Sequence, residues 1–277
     1  MEEAPATEEL HDDECGQIFE TTHGRTPDGR YVVQLSLRRK VPELGDSYAY
    51  PARQFYWLER RLIADPSLRE KYVSFMREYA ELDHMERVEP PHNHSGCYYI
   101  PHHAVAVKFR VVFNASAPTT TGVSLNDIQL VGPTLQDPLI NILFRFRRYR
   151  VAVTADIEKM FRQVLVATAH RDYQRIIWRE YPSDELAVYR LKTVTYGMAC
   201  SPYDAVRALQ QCANDNYHAV PDEHQATEAR EAILNAFYVD DFLTSCEDAT
   251  KAVELANNVC IQYVCGPGIG FEMGPRG

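Results

Sequence analysis

The sequence contains no hydrophobic run long enough to cross a bilayer, which predicts a protein without a membrane partner. Residues 1–14 are acidic and lack the basic and then apolar pattern of a signal peptide. Seven cysteines are scattered among 277 residues and form no Cys-x-x-Cys pair. This scarcity excludes a small disulfide-rich scaffold and predicts reduced thiols in an intracellular protein.

An excess of positive charge is also missing, since the net charge is −10. The charge is unevenly distributed. Residues 1–30 hold nine acidic side chains and two basic ones, whereas residues 107–175 hold ten basic and five acidic side chains. A basic middle segment can track a phosphate backbone, so a nucleic-acid partner stays open. The alternative is an ordinary solvated face on an acidic protein.

Helical and strand-like patterns alternate along the chain. Residues 1–25 show no apolar periodicity and are predicted to be a disordered acidic tail. Residues 47–85 have a helical pattern, with a break at Asp65-Pro66. Only two tryptophans occur, Trp57 and Trp178, and both are predicted to be packing residues. Because strands and helices follow no strict βαβ rhythm, the fold class is predicted to be α+β.

The later part of the chain carries several further predicted elements. We expect a continuous strand at 104–113, and the remaining strands follow hairpin or buried patterns. Helices are predicted at residues 133–146, 201–212, 223–234 and 248–259, and strands at residues 30–37, 98–100, 149–156, 175–178, 187–191, 236–239 and 242–244.

Adjacent carboxylates at Asp240 and Asp241 lie between two short apolar strand patterns, which predicts an acidic hairpin tip. A third carboxylate, Asp156, ends an apolar strand pattern upstream. Three carboxylates brought together repel one another unless cations neutralise them, and oxygen ligands of this kind suit Mg²⁺. Spacing alone leaves open that these are three unrelated surface acids.

Three stretches resemble the motifs of retroelement reverse transcriptases. Residues 154–164 (Thr-Ala-Asp-Ile-Glu-Lys-Met-Phe-Arg-Gln-Val) resemble the first catalytic motif, and residues 237–243 (Phe-Tyr-Val-Asp-Asp-Phe-Leu) resemble the acidic hairpin. Residues 194–203 resemble the loop and helix beneath the incoming nucleotide. The wording is most similar to Bel/Pao-type LTR retrotransposons, and further marks of that group lie at residues 45–48, 99–103, 108–116, 122–127 and 130–134.

The resemblance implies the fingers–palm part of a right-hand polymerase, with an antiparallel palm sheet and packed helices. Residues 26–92 would be a helical lead-in to the fingers, residues 93–265 the fingers and palm, and residues 266–277 an irregular tail. The implied activity is RNA-directed DNA polymerisation with two Mg²⁺ ions, for which Mn²⁺ can substitute. Its partners would be an RNA or DNA template-primer and dNTPs, in the cytoplasm or in virus-like particles.

The resemblance also assigns residue roles. Asp156, Asp240 and Asp241 would be catalytic and hold the two metal ions, with help from the carbonyl of Ile157. The remaining matched positions would bind the nucleotide. Arg110 would contact the triphosphate through its guanidinium, and Lys159 and Met160 would contact it through their backbone amides. Phe161 would be an aromatic steric gate against a ribose 2′-hydroxyl, and Tyr196 and Gly197 would form a loop near the sugar and base. An ordinary core aromatic is the alternative at Phe161.

Two other functions stay open. The first is a catalytically dead remnant that keeps the fold and binds nucleic acid or a partner. Only residues 104–107 separate His103 from Lys108, where the family carries a longer fingertip hairpin, and this departure favours the remnant. The second is a nucleotide cyclase, whose Gly-Gly-Asp/Glu signature is missing from this sequence.

Overall fold

The computed structural model describes residues 6–38, 44–90, 94–105, 108–263 and 271–273. The helices are α1 (Ala6–Thr22), α2 (Ala49–Ala64), α3 (Pro66–Glu81), α4 (Leu139–Phe146), α5 (Met160–Gln163), α6 (Ser201–Asp215), α7 (Glu223–Asn235) and α8 (Ala249–Tyr263). The strands are β1 (Gly24–Arg25), β2 (Tyr31–Val33), β3 (Met85–Val88), β4 (His102–Val105), β5 (Arg110–Phe113), β6 (Val151–Ile157), β7 (Leu165–Val166), β8 (Arg175–Trp178), β9 (Ala187–Leu191), β10 (Phe237–Tyr238), β11 (Asp241–Cys246) and β12 (Phe271–Met273).

The chain folds as two compact units. The first unit is formed by Met1–Thr22, Val33–Gly132 and Leu165–Ser201, and the second by His23–Val32, Pro133–Val164 and Pro202–Gly277. Both units combine helices with small antiparallel sheets, which confirms the α+β prediction. The finer division at residues 26 and 93 stays a prediction, and the tail predicted at residues 266–277 lies outside the described residues except for β12.

In the first unit, Asp65 separates α2 from α3 as the sequence predicts. Its backbone is extended, and its amide N–H donates to the carbonyl of Arg61 at the end of α2. Its carboxylate accepts from the N–H of Leu68 at 3.0 Å and caps α3. Pro66 then occupies the first turn, where its missing N–H costs nothing. Apolar side chains of both helices, including Phe55 and Tyr72, are buried.

The first unit also contains a three-stranded sheet in the order β3-β9-β8 and a separate hairpin of β4 and β5. The single strand predicted at 104–113 is therefore wrong. His102 pairs with Phe113 and Val105 with Arg110, so the chain reverses between the two strands. The apolar pattern did not reveal the reversal, because Val-Ala-Val-Lys contains no Gly, Pro or Asn turn signal.

His102 lies inside an aromatic cluster of the first unit. The ring is 4% exposed and packs near Phe55, Tyr72, Phe113 and Trp178. Its Nε2–H donates to the carbonyl of Ile177 at 2.9 Å, and Nδ1 accepts from the hydroxyl of Tyr72. Both ring nitrogens are satisfied by a neutral imidazole. Burial lowers the pKa of His102 from 6.5 to about 4, against the opposing effect of the Ile177 carbonyl.

The second unit is built on a four-stranded antiparallel sheet in the order β10-β11-β6-β12. Val153, Ala155 and Ile157 of β6 point into a hydrophobic core with Phe242 of β11. The helices α6, α7 and α8 complete this core with apolar side chains such as Leu209, Ile233 and Val259, respectively. The core fixes which face of the sheet is apolar and thereby which residues lie on the other face.

Three predictions about local structure differ from the structure. The acidic tail is not wholly irregular, because α1 spans Ala6–Thr22 and buries Cys15 and Phe19. The helix predicted at 133–146 begins only at Leu139, since Pro138 is its extended N-cap, and of its apolar residues only Ile142 is buried. Trp178 is buried as predicted, whereas Trp57 is 66% exposed.

The cysteines largely match the prediction of reduced thiols. Cys15, Cys97, Cys200, Cys246 and Cys260 are free. The prediction is wrong at Cys212, which is disulfide-bonded. Among the residues that the structure describes, no helix has both the length and the apolar character needed to span a membrane.

The neutral state of His102 predicts acid-sensitive stability. Because the folded protein holds the pKa of His102 below its unfolded value of 6.5, this residue favours folding above pH 6.5. The benefit is lost as the pH falls towards about 4. At about 1.4 kcal/mol per pKa unit, we expect a loss of up to about 3 kcal/mol from this residue.

The measurement is the free energy of unfolding in urea between pH 7.5 and 4 for the wild type and His102→Gln. Glutamine keeps a donor and an acceptor but does not titrate. The wild type should lose stability relative to the variant as the pH falls. Parallel pH profiles would show that His102 does not titrate as proposed.

Candidate active site

Asp156 occupies the last outward-facing position of β6. Its neighbours Ala155 and Ile157 are buried in the core, and successive side chains of a strand point to opposite faces. Asp156 is half-buried and lies on the face away from the core. The apolar alternation of β6 therefore places a carboxylate on the outer face at the end of the strand.

Asp241 faces Asp156 directly across the β6–β11 pair. The N–H of Ile157 donates to the carbonyl of Asp240 at 3.0 Å, which makes the next pair along a hydrogen-bonded one. Asp156 and Asp241 are then a non-hydrogen-bonded pair, the arrangement in which opposed side chains come closest, with Cα atoms about 4.5 Å apart. We call these two residues the acidic pair.

The hairpin that carries Asp240 and Asp241 has a two-residue loop. Tyr238 pairs with Asp241, so Val239 and Asp240 form the tip. Val239 has φ +57°, a left-handed conformation that β-branched residues rarely adopt. Two-residue hairpins favour positive φ at the tip because it matches the twist of the strands, and glycine normally supplies it. The chain thus holds a strained residue beside its acidic tip.

The structure unites two of the three predicted acids in a defined register and places the third at the adjoining turn. Like charges directly opposite each other destabilise a sheet, and a cation between them would remove that cost. Carboxylate oxygens are the donors that Mg²⁺ and Mn²⁺ accept. Across the described ranges, however, no group of three or more His, Cys, Asp and Glu side chains is arranged to hold a metal ion. The donor set of the acidic pair fits a divalent cation in kind.

The segment after Asp156 turns sharply into α5. Lys159 adopts φ +52° and forms an ion pair with Glu158, which holds the pKa of Glu158 below its ordinary value. Met160 is buried, and Phe161 is half-buried against the core of the second unit. Phe161 packs against this core, and its role as a steric gate stays a prediction.

In the first unit, Gly197 lies in a loop where only glycine fits. Its φ is +94°, and a Cβ at this position would lie 2.3 Å from the carbonyl oxygen of Phe113. The neighbouring Tyr196 donates its hydroxyl to the carbonyl of Val111 at 2.8 Å. Arg110, at the start of the same strand β5, is exposed. The loop thus contacts the backbone of β5.

Two side chains that the sequence did not single out hold this loop. Asn126 Oδ1 and Gln129 Oε1 accept from the N–H of Ala199 at 3.0 and 2.9 Å. Asn126 also donates from Nδ2 to the carbonyl of Gly197 at 3.2 Å. Asn126 lies within the stretch that resembles the retroelement pattern at 122–127, which was the available signal. Gln129 is fully buried, where an unpaired polar atom costs stability, and the bond from Ala199 pairs its Oε1.

Replacing Gly197 by alanine tests the close approach to β5. Gly122→Ala is the matched control, because Gly122 also has a positive φ of +82° but has nothing within 4 Å of an added Cβ. The control should cost about 1 kcal/mol for backbone strain alone. Gly197→Ala should cost a further 1–3 kcal/mol or so, because the loop must also move away from Phe113. Urea unfolding of both variants measures the difference, and equal losses would contradict the contact.

No family model matches the sequence, and no curated protein matches it either. Solved structures with a similar fold include two of foamy viral proteins. Prototype foamy virus protease-reverse transcriptase (a selenomethionine-labelled CSH mutant) has a TM-score of 0.57 and 11% identity, over 98% of this chain and 30% of that chain. The foamy viral protease-reverse transcriptase in complex with an RNA/DNA hybrid has a TM-score of 0.56 and 12% identity, over 98% of this chain and 31% of that one.

The chain therefore spans less than a third of the length of these two proteins. At identities of 11% and 12%, the likeness concerns the fold and not the chemistry. It supports the fold expected from the sequence motifs and leaves the Bel/Pao type untested. The protein has a reverse-transcriptase-like fold.

Proposed function

We propose that this chain is the fingers and palm of a retroelement reverse transcriptase, of the Bel/Pao type that its motifs resemble. It would transfer nucleotides from dNTPs to a primer 3′-hydroxyl opposite an RNA or DNA template. The observation that carries the proposal is the acidic pair: Asp241 directly faces Asp156 on the outer face of a sheet. The reverse-transcriptase-like fold supports the same conclusion, because it is the fold that the sequence motifs predict.

Asp156, Asp240 and Asp241, with the carbonyl of Ile157, would hold two Mg²⁺ ions. The ions would supply charge neutralisation at the attacking hydroxyl and at the leaving pyrophosphate. The contribution of the chain is to fix the carboxylates before substrate arrives. The register of β6 and β11 does so for the acidic pair, and the hydrogen bond from the N–H of Ile157 ties the backbone of Asp240 to the same strand.

The remaining motif residues would bind the nucleotide. Arg110 offers an exposed guanidinium suited to a triphosphate. The backbone amides near Lys159 and Met160 would contact the same phosphates, and Phe161 would exclude a ribose 2′-hydroxyl. Tyr196 and Gly197 would approach the sugar and base. In the reaction, the primer 3′-hydroxyl gives up its proton to water, and a bond forms between O3′ and the α-phosphorus. The bond between the α-phosphorus and the oxygen that bridges it to the β-phosphate breaks, and pyrophosphate leaves.

A catalytically dead remnant that binds nucleic acid or a partner is the second candidate function. Two observations favour it. The described residues contain no cluster of three carboxylate, imidazole or thiol side chains set to hold a metal ion. The turn between β4 and β5 is also much shorter than the fingertip of the family that the sequence resembles.

Primer extension with Mg²⁺ or Mn²⁺ on a primed RNA template distinguishes the two candidates. The wild type should incorporate dNTPs, whereas Asp240→Asn and Asp156→Asn should each lose more than about a hundredfold in rate, because loss of outer-shell partners alone costs up to about that much. Glu231→Gln, an exposed acid on α7, is the matched control and should keep full activity.

Each variant should keep the wild-type circular dichroism spectrum, so that lost activity is not lost folding. A wild type that binds the primed template but incorporates nothing would support the remnant. Incorporation by the aspartate variants at the wild-type rate would show that another group carries the reaction.

A further inference from the structure

Val239, at the tip of the β10–β11 hairpin, is hydrogen-bonded to a side chain outside the hairpin. Its backbone N–H donates to Oε1 of Gln136 at 3.0 Å. Gln136 is remote in sequence and precedes α4, yet it contacts the residue that has the strained φ of +57°. The contact lies one residue before Asp240 and two before Asp241.

The segment around Gln136 is itself anchored in the second unit. Leu135 packs against the hydrophobic core, and its carbonyl accepts from Nε2 of Gln210 at 3.2 Å. Asp137 forms an ion pair with Arg145 at 2.7 Å. The chain is thus held on both sides of Gln136, and Gln136 itself is half-buried. These neighbours fix the backbone from which the side chain of Gln136 reaches Val239.

Strain at Val239 needs such a restraint. A left-handed conformation at a non-glycine residue is unfavourable and persists only when surrounding contacts impose it. The net free energy of one hydrogen bond is of the same order as that cost. The Gln136 contact therefore has the magnitude needed to decide which conformation the tip adopts.

We propose that Gln136 is a positioning residue, which locks the hairpin tip in its left-handed conformation and thereby sets the carboxylates of Asp240 and Asp241. The consequence for a metal site rests on the proposed polymerase function. The restraint of the hairpin turn by Gln136 concerns the metal-free chain alone. Gln136 acts through the backbone of Val239 and has no direct role on substrate.

A double-mutant cycle between Gln136→Met and Val239→Gly tests this coupling. Methionine keeps the length of the side chain but removes the acceptor. Glycine adopts positive φ without strain, so the restraint becomes dispensable in its presence. Gln225→Met is the matched control, because Gln225 is also a half-buried glutamine of the second unit and its side chain contacts Glu254 and Asn258 instead of the hairpin.

The first readout is hydrogen exchange of the Val239 amide without metal. Gln136→Met should speed that exchange by about tenfold, the equivalent of roughly 1.4 kcal/mol, while Gln225→Met leaves it unchanged. The second readout is the Mg²⁺ concentration for half-maximal primer extension. Gln136→Met should raise it about tenfold in the Val239 background, and less than about twofold in the Val239→Gly background.

Unchanged Val239 exchange in Gln136→Met would overturn the inference, whether or not the protein polymerises. Equal shifts of the Mg²⁺ midpoint in both backgrounds would also overturn it, since they would mean that Gln136 acts independently of the turn. A wild type that shows no extension refutes the proposed function instead, and the exchange measurement then still decides the role of Gln136.

Discussion

The register between β6 and β11 is the constraint on which the candidate site depends. It places Asp241 opposite Asp156, and like charges directly opposite each other on a sheet are destabilising. The apolar face of the same strands resists this repulsion, because Phe242 faces Ala155 inside the core. A slip of one residue would exchange the two faces and bury the acids, so core packing and carboxylate placement are one requirement.

A positive φ occurs at Gly197 in the first unit and at Val239 in the second, and the chain accommodates it in two ways. Gly197 avoids strain by having no side chain, at a point where the carbonyl of Phe113 leaves no room for one. Val239 keeps its side chain and relies on a hydrogen bond from elsewhere in the second unit. The first solution is visible as a glycine in the sequence. The second is not, because nothing local to Val239 indicates the left-handed conformation.

Features with local causes could be predicted from the sequence, whereas features that depend on distant residues could not. Local signals were sufficient for the break at Asp65-Pro66 and for the strand that ends in Asp156. They failed for the start of α4, where Pro138 delays the helix, and for the β4–β5 reversal, which lacks turn residues. The supports of the site could not be predicted, since Gln136 lies about a hundred positions from Val239 in the sequence and the pairing needs the folded unit. The roles of Arg110 and Phe161 stay predictions.

Mn²⁺ binding to the metal-free protein, measured by electron paramagnetic resonance of the free ion, tests the acidic pair directly. The wild type should remove Mn²⁺ from solution, and Asp156→Asn and Asp241→Asn should each weaken binding strongly, because each leaves a single carboxylate of the acidic pair. Glu231→Gln should bind as the wild type does. Equal Mn²⁺ binding by the wild type and both aspartate variants would contradict the claim that the acidic pair forms a cation site.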